Sequence, residues 1–205
     1  MIKHIFQINF TGKGLHEGFR GQDWYDLRAE VFKNYVIPNL KSQTKKNFLV
    51  WLAFRPEEKE NPTTKLIKSY LDKSGLEYIM TFDGIMMYDD KGLEHNTDLV
   101  ERFNKSIQEV KPFLEKADYI YETNLDSDDM VHRKFSELVQ SKFFIDNGAL
   151  YCTRGFALNT NGRLVDWLNP ISNQNYTLMY PKDIYIDGKR HFEYQNGLET
   201  HEQIP

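Results

Sequence analysis

Asp126, Asp128 and Asp129 lie within four residues of one another in Asn124-Leu125-Asp126-Ser127-Asp128-Asp129-Met130, directly after an apolar run. Helix capping accounts for one such side chain, because the free amides and the dipole of a helix start favour an oxygen acceptor or a negative charge. Three carboxylates exceed that need. A divalent cation relieves their mutual repulsion, and an all-oxygen set suits magnesium, manganese or calcium. A calcium loop fails on spacing: Asp126, Asp128 and Glu137 take its first, third and twelfth places, but Val131 stands where the turn glycine belongs. The cluster reads as a divalent-cation site, with helix capping alone as the other reading.

Other constellations are weaker. Gly12, Gly14 and Gly18 follow the first apolar run and imitate a dinucleotide fingerprint, with Arg55 placed to meet a phosphorylated ribose. The fingerprint glycines must open a helix directly, and here His16, Glu17 and Arg20 intervene before helical spacing begins near Asp23. His132 follows the acidic cluster, either orienting it or packing structurally. His191 belongs to no zinc-type pair, and Cys152 has no nearby histidine to activate it.

These residues need a scaffold, and the chain supplies an alternating one. Ile2–Phe10, Phe48–Phe54, Leu76–Phe82 and Tyr119–Leu125 read as strands, the second so continuously apolar that both its faces must be covered. Between them, Trp24, Leu27, Val31, Phe32, Tyr35 and Val36 recur at helical spacing, with Asp23 as cap and Pro38 as a kink. Asn61-Pro62 predicts a capped helix start and Gly75 its end. A long helix is expected from Thr97 and another over Met130–Lys142. Asn161-Gly162 and Asp187-Gly188 then signal two-residue hairpins, the second flanked by a strand Ile184-Tyr185-Ile186. The expected architecture is an α/β half, residues 1–129, running into a hairpin-rich antiparallel half, residues 130–205, in one domain. The seam near Asp126 is where open α/β sheets bind ligands.

Composition narrows the classes. The chain of 205 residues carries 30 acidic and 26 basic side chains, a net charge of −4, which argues against nucleic acid as partner. A hydrophobic fraction of 40% is enough for a sizeable core, while one cysteine excludes a disulfide framework. No stretch reaches the roughly 18 apolar residues of a membrane span. A soluble protein in the reducing cytoplasm is expected.

Tyr121-Glu122-Thr123-Asn124-Leu125-Asp126-Ser127-Asp128-Asp129-Met130-Val131-His132-Arg133-Lys134-Phe135 resembles the acidic motif of the putative rhamnosyltransferase family, although Asn124 stands where that family has arginine. Trp24, Arg28, Phe32, Tyr35, Pro38, Leu40, Gln43, Thr44, Phe48 and Trp51 resemble its first helix and second strand, and Ile145-Asp146-Asn147-Gly148 its later strand. The resemblance implies an A-type glycosyltransferase fold, a Rossmann-like sheet fused to an antiparallel acceptor region. It also implies transfer of a sugar, rhamnose among the candidates, from a nucleotide-sugar donor to a glycan or other hydroxyl acceptor. Asp126-Ser127-Asp128 becomes the Asp-x-Asp motif, with Asp128 the main metal ligand and Asp126 on the metal or the ribose. Asn9, Phe10, Thr11 and Asp83 are then expected at the base and ribose, Asp83 being equally compatible with a solvated turn. His201 is either a tail residue or an imidazole folded back onto the metal. Asp166, Asp183, Glu193 and Glu199 are available as an inverting base, and no spacing selects among them. A catalytically silent binding domain of the same fold is the alternative.

Overall fold

The computed structural model describes residues 1–11, 21–83, 97–142, 149–152, 154–158, 161–168 and 176–187. Strands β1 (Ile2–Asn9), β2 (Phe48–Ala53), β3 (Tyr78–Thr81) and β4 (Tyr119–Asn124) run parallel in the order β3-β2-β1-β4. All six residues of β2 are buried, as its unbroken apolar run demands of a strand covered on both faces. Later come β5 (Ala149–Tyr151), a hairpin of β6 (Arg154–Leu158) and β7 (Leu164–Leu168), and β8 (Tyr176–Pro181). β8 pairs antiparallel with β4, and β5 with β8, giving a six-stranded mixed sheet. The C-terminal half therefore extends the N-terminal sheet. The fold is α/β, and its parallel part is compatible with a Rossmann-like order.

Helices cover both faces. On one lie α1 (Gln22–Val31), continued by a π-helical turn Phe32–Val36 into α2 (Ile37–Lys41), then α3 (Pro62–Asp72) and a later short helix over Phe135–Gln140. Their Tyr25, Phe32, Leu40, Ile67 and Phe135 pack with Phe6, Ile8, Val50 and Leu52 of the sheet. The other face carries α4 (Thr97–Leu114), whose Ile107, Val110 and Leu114 meet Ile5, Leu49, Trp51 and Ile120. With Phe135–Gln140 as α5, the last helix, α6 (Lys182–Asp187), adds Tyr185 to this second layer. Alternate residues of each strand feed alternate layers, so the period of two is what divides the core.

Local signals act as their chemistry predicts at α3, where Asn61 Oδ1 accepts from Thr63 N at 2.8 Å and Pro62 fills the first turn. Elsewhere the structure corrects the sequence. Gly21 occupies the cap of α1 with φ 93°, so Asp23 sits inside the first turn. The expected helix over Met130–Lys142 is confined to Phe135–Gln140. The expected strand Ile184–Ile186 is part of α6, because turning there directs Tyr185 into the core. The hairpin at Asn161-Gly162 exists, but its ladder closes at Leu158–Leu164, leaving five residues between the strands. His201, His191 and the expected strand at Ile145–Gly148 lie outside the described residues, as do the glycines before residue 21.

Candidate functional site

Crossovers on opposite faces leave a crevice at the C-terminal ends of β1 and β4, the switch point where α/β sheets accommodate ligands. Asn9, the last residue of β1, reaches across it and donates from Nδ2 to Asn124 Oδ1 at 3.1 Å. Its own Oδ1 is buried without a hydrogen-bond partner. Tyr176 stands opposite Asn124 in the β4–β8 ladder, so both side chains share that face. One residue pair further along β4, Glu122 is buried and accepts the hydroxyl of Tyr185.

The acidic segment leaves β4 here. Leu125 N donates to Gln7 O at 2.9 Å, extending the parallel ladder by a residue, and Leu125 is fully buried. A tight turn follows, with Asp129 N on Asp126 O at 3.1 Å. Beyond it the chain is held by α2 and the residues after it. Asn39 grips Val131 twice, Nδ2 on the carbonyl at 2.8 Å and Oδ1 taking the amide at 3.0 Å. Gln43 Nε2 donates to His132 O at 3.2 Å and Gln43 Oε1 accepts Ser136 N at 3.1 Å, while Thr44 N bonds Arg133 O at 2.9 Å. These bonds replace the i→i−4 ladder that the expected helix would have used.

Asp126 is largely enclosed, and its carboxyl is pushed up to about 7, first by desolvation and then by the charges of Asp129 and Asp128, with Arg28 opposing. Asp128 is half exposed and forms an ion pair with Arg28 of α1, whose guanidinium lies 5.1 Å from the ring centre of Trp24. The set is chemically suited to a hard divalent cation. The carboxylates offer hard oxygen donors, and the crowding at Asp126 is the repulsion such an ion relieves. Among the described residues, however, no group of three or more His, Cys, Asp or Glu side chains is arranged to hold a metal. Arg28 must release Asp128 before both carboxylates can serve one ion.

The remaining expected residues divide. Asn9 joins Asp126 at the crevice. Phe10 is a core residue, its ring stacked on Phe54 at 5.4 Å and edged by Tyr25 and Phe32, so it does not offer a face to a ligand. Thr11 Oγ1 accepts Arg55 N at 3.2 Å, tying the end of β1 to the residue after Phe54. Asp83 follows β3 and pairs with Lys105 of α4 at 2.7 Å. It stands two strands from β1, about 10 Å across the sheet. His132 is exposed, and its Nδ1 accepts from Lys134 N at 3.3 Å; among the described residues it makes no hydrogen bond to the carboxylates.

No protein-family model and no curated protein matches the chain. The site therefore stands on its geometry. Sequence reasoning missed Tyr176 and Asn39, and it met Arg28 only as part of a pattern. A lone tyrosine in an antiparallel strand carries no local signal, and an asparagine within a helix start reads as a neutral residue until its tertiary partner is known. Among the described residues no helix is long and apolar enough to cross a membrane.

Proposed function

We propose that this protein is a metal-dependent glycosyltransferase that moves a sugar from a nucleotide-sugar donor to a hydroxyl acceptor. One observation carries the reading: Asp126-Ser127-Asp128 emerges at the switch point of the parallel sheet, with Asp126 enclosed and crowded by like charge. The resemblance of residues 121–135 to the acidic motif of the rhamnosyltransferase family supports it. Asp126 and Asp128 would hold Mn2+ or Mg2+, and such an ion neutralises the charge that grows on a departing nucleoside diphosphate. The chain's own contributions are separable from that ion. Asn9 and Asn124 present amide groups along the floor of the crevice, and the Asn39 and Gln43 bonds fix the loop that carries the carboxylates. His201 remains a candidate third ligand by sequence alone.

The Arg28–Asp128 ion pair favours a second reading, a domain that binds the nucleotide-sugar without turning it over. Calorimetry with uridine, guanosine and thymidine diphosphates, in manganese and in chelator, tests the first. Donor-type binding is expected only with metal, and Asp128→Asn should weaken it at least tenfold, about 1.4 kcal/mol. Equal affinity in manganese and chelator removes the metal role. Transferred sugar, detected by product analysis, separates transfer from silent binding.

A further inference from the structure

The tyrosines of this sheet offer an internal standard. Tyr25 Oη pairs with Thr64 Oγ1 at 2.6 Å, Tyr121 Oη donates to Lys142 O, and Tyr185 Oη donates to Glu122. Buried phenols normally find a partner in this way. Tyr176 differs: its ring is only partly buried against the second core layer, and its hydroxyl bonds to no other described residue, so it stays open to the crevice. The ladder seats it opposite Asn124, whose amide oxygen is already taken by Asn9. Asn9 Oδ1 is a second unsatisfied group at the same crevice, buried and without a partner. Buried unsatisfied polar atoms are rare in folded proteins, and Asn9 Oδ1, on the same face as an open phenol, marks a place completed by something else.

The chemistry of the missing group follows from its surroundings. Glu122, buried beside the Tyr185 hydroxyl and outside the carboxylates assigned to the cation, acts electrostatically on Tyr176, so an anionic phosphate would be repelled there. An apolar group would leave Asn9 Oδ1 unmet. A ligand hydroxyl satisfies it by donating, and hydroxyls can equally accept from Tyr176 Oη.

We propose that Tyr176 and Asn9 form a subsite that reads ligand hydroxyl groups, placing the uncharged polyol part of the ligand, rather than its phosphates, against β4 and β8. The subsite rests on the nucleotide-sugar reading of the crevice and adds to it a residue from the antiparallel part of the sheet. The hydroxyl belongs either to the ribose or to the transferred sugar.

Tyr176→Phe tests it, because only the oxygen is removed and the ring packing is kept. Its melting temperature should equal that of the wild type, as no internal bond is lost. In manganese, the affinity of whichever of uridine, guanosine or thymidine diphosphate binds the wild type, or of its hexose conjugate, should fall about tenfold. A loss already seen with the diphosphate puts the hydroxyl on the ribose, and a loss confined to the conjugate puts it on the sugar. Unchanged affinity for both, with the wild type binding, overturns the subsite alone. A wild type that binds none of the six compounds overturns the nucleotide-sugar reading with it. Asn9→Leu supplies an independent arm: it removes the acceptor and should weaken the same compounds that Tyr176→Phe weakens, whether the hydroxyl is on the ribose or the sugar. An Asn9→Leu variant that binds all of them as the wild type does also overturns the subsite.

Discussion

On the face of the sheet covered by α5, a chain of polar side chains runs from Gln140 to His4, Thr123 and Thr177. Gln140 Nε2 lies 3.3 Å from His4 Nδ1, His4 Nε2 2.7 Å from Thr123 Oγ1, and Thr123 Oγ1 2.7 Å from Thr177 Oγ1. On the opposite face, Asn9, Asn124, Asp126 and Tyr176 gather at the strand ends with Asn9 Oδ1 unsatisfied and the Glu122 carboxylate beside them. Both clusters draw on β1, the β4 segment and β8. The first has no carboxylate in its chain and is sealed, apart from Gln140 Oε1. The second is charged and incomplete. A buried polar cluster that closes on itself stabilises one arrangement of the strands, whereas one that stays open at the strand ends contributes less to that arrangement.

The sharpest contrast is in titration. Burial, with Lys45 adding to it, pushes His4 down to about 3, so it stays neutral in the folded state while an unfolded histidine protonates near 6.5. Its contribution to stability is thus full above about pH 6.5 and is lost as pH falls toward 3, on the order of 4–5 kcal/mol in all. Asp126 acts in the reverse sense over an overlapping range, being raised to about 7. The two must therefore be separated by difference. Urea unfolding of wild type and His4→Gln between pH 7.5 and 4 should show the wild type losing about 1.4 kcal/mol per pH unit relative to the variant below 6.5. A constant difference would show that His4 is not held neutral.

A smaller effect is expected one bond further along the chain. Thr123→Val removes the hydroxyl joining His4 to Thr177 and strands both in the interior, at about 1–3 kcal/mol. Set beside a Tyr176→Phe that costs no stability, it measures the difference between a closed and an open cluster. If both variants melt alike, the distinction between the clusters collapses.

The least effect belongs to the β6–β7 hairpin, where Phe156 is 67% exposed and Leu164 66%. Among the described residues it pairs only with itself and joins neither core layer. Phe156→Ser should change unfolding free energy by no more than about 0.5 kcal/mol. A loss comparable with Thr123→Val would mean that the hairpin packs on something in solution.

The parallel sheet was legible because burial on both faces writes itself into sequence as unbroken apolar runs; Phe48-Leu49-Val50-Trp51-Leu52-Ala53 offers no polar position for a solvated face. The order of those strands was not, since nothing in β8 announces that it pairs with β4. Two elements misled for physical reasons. Met130–Lys142 has acceptable helical spacing, but the amides of Asn39 and Gln43 claim its first backbone groups. Ile184-Tyr185-Ile186 is β-branched on either side of an aromatic, yet docking Tyr185 beneath Glu122 outweighs that local preference. In the site, Asp126 was visible as part of a charge cluster. Its enclosure, the Arg28 partner of Asp128 and the open hydroxyl of Tyr176 are products of the fold.

The grip of α2 on the acidic loop has a bearing on inheritance. Asn39, Gln43 and Thr44 hold Val131, His132, Arg133 and Ser136 through main-chain groups, which every residue except proline supplies. The side chains of His132, Arg133 and Lys134 meanwhile point to solvent. Mutations can accumulate at those three positions without shifting Asp126 or Asp128, while a change at Asn39, some 90 places away in the chain, displaces both. The structure thus tolerates substitution beside the carboxylates and resists it in a distant helix, so the shape of this loop is specified by residues outside it.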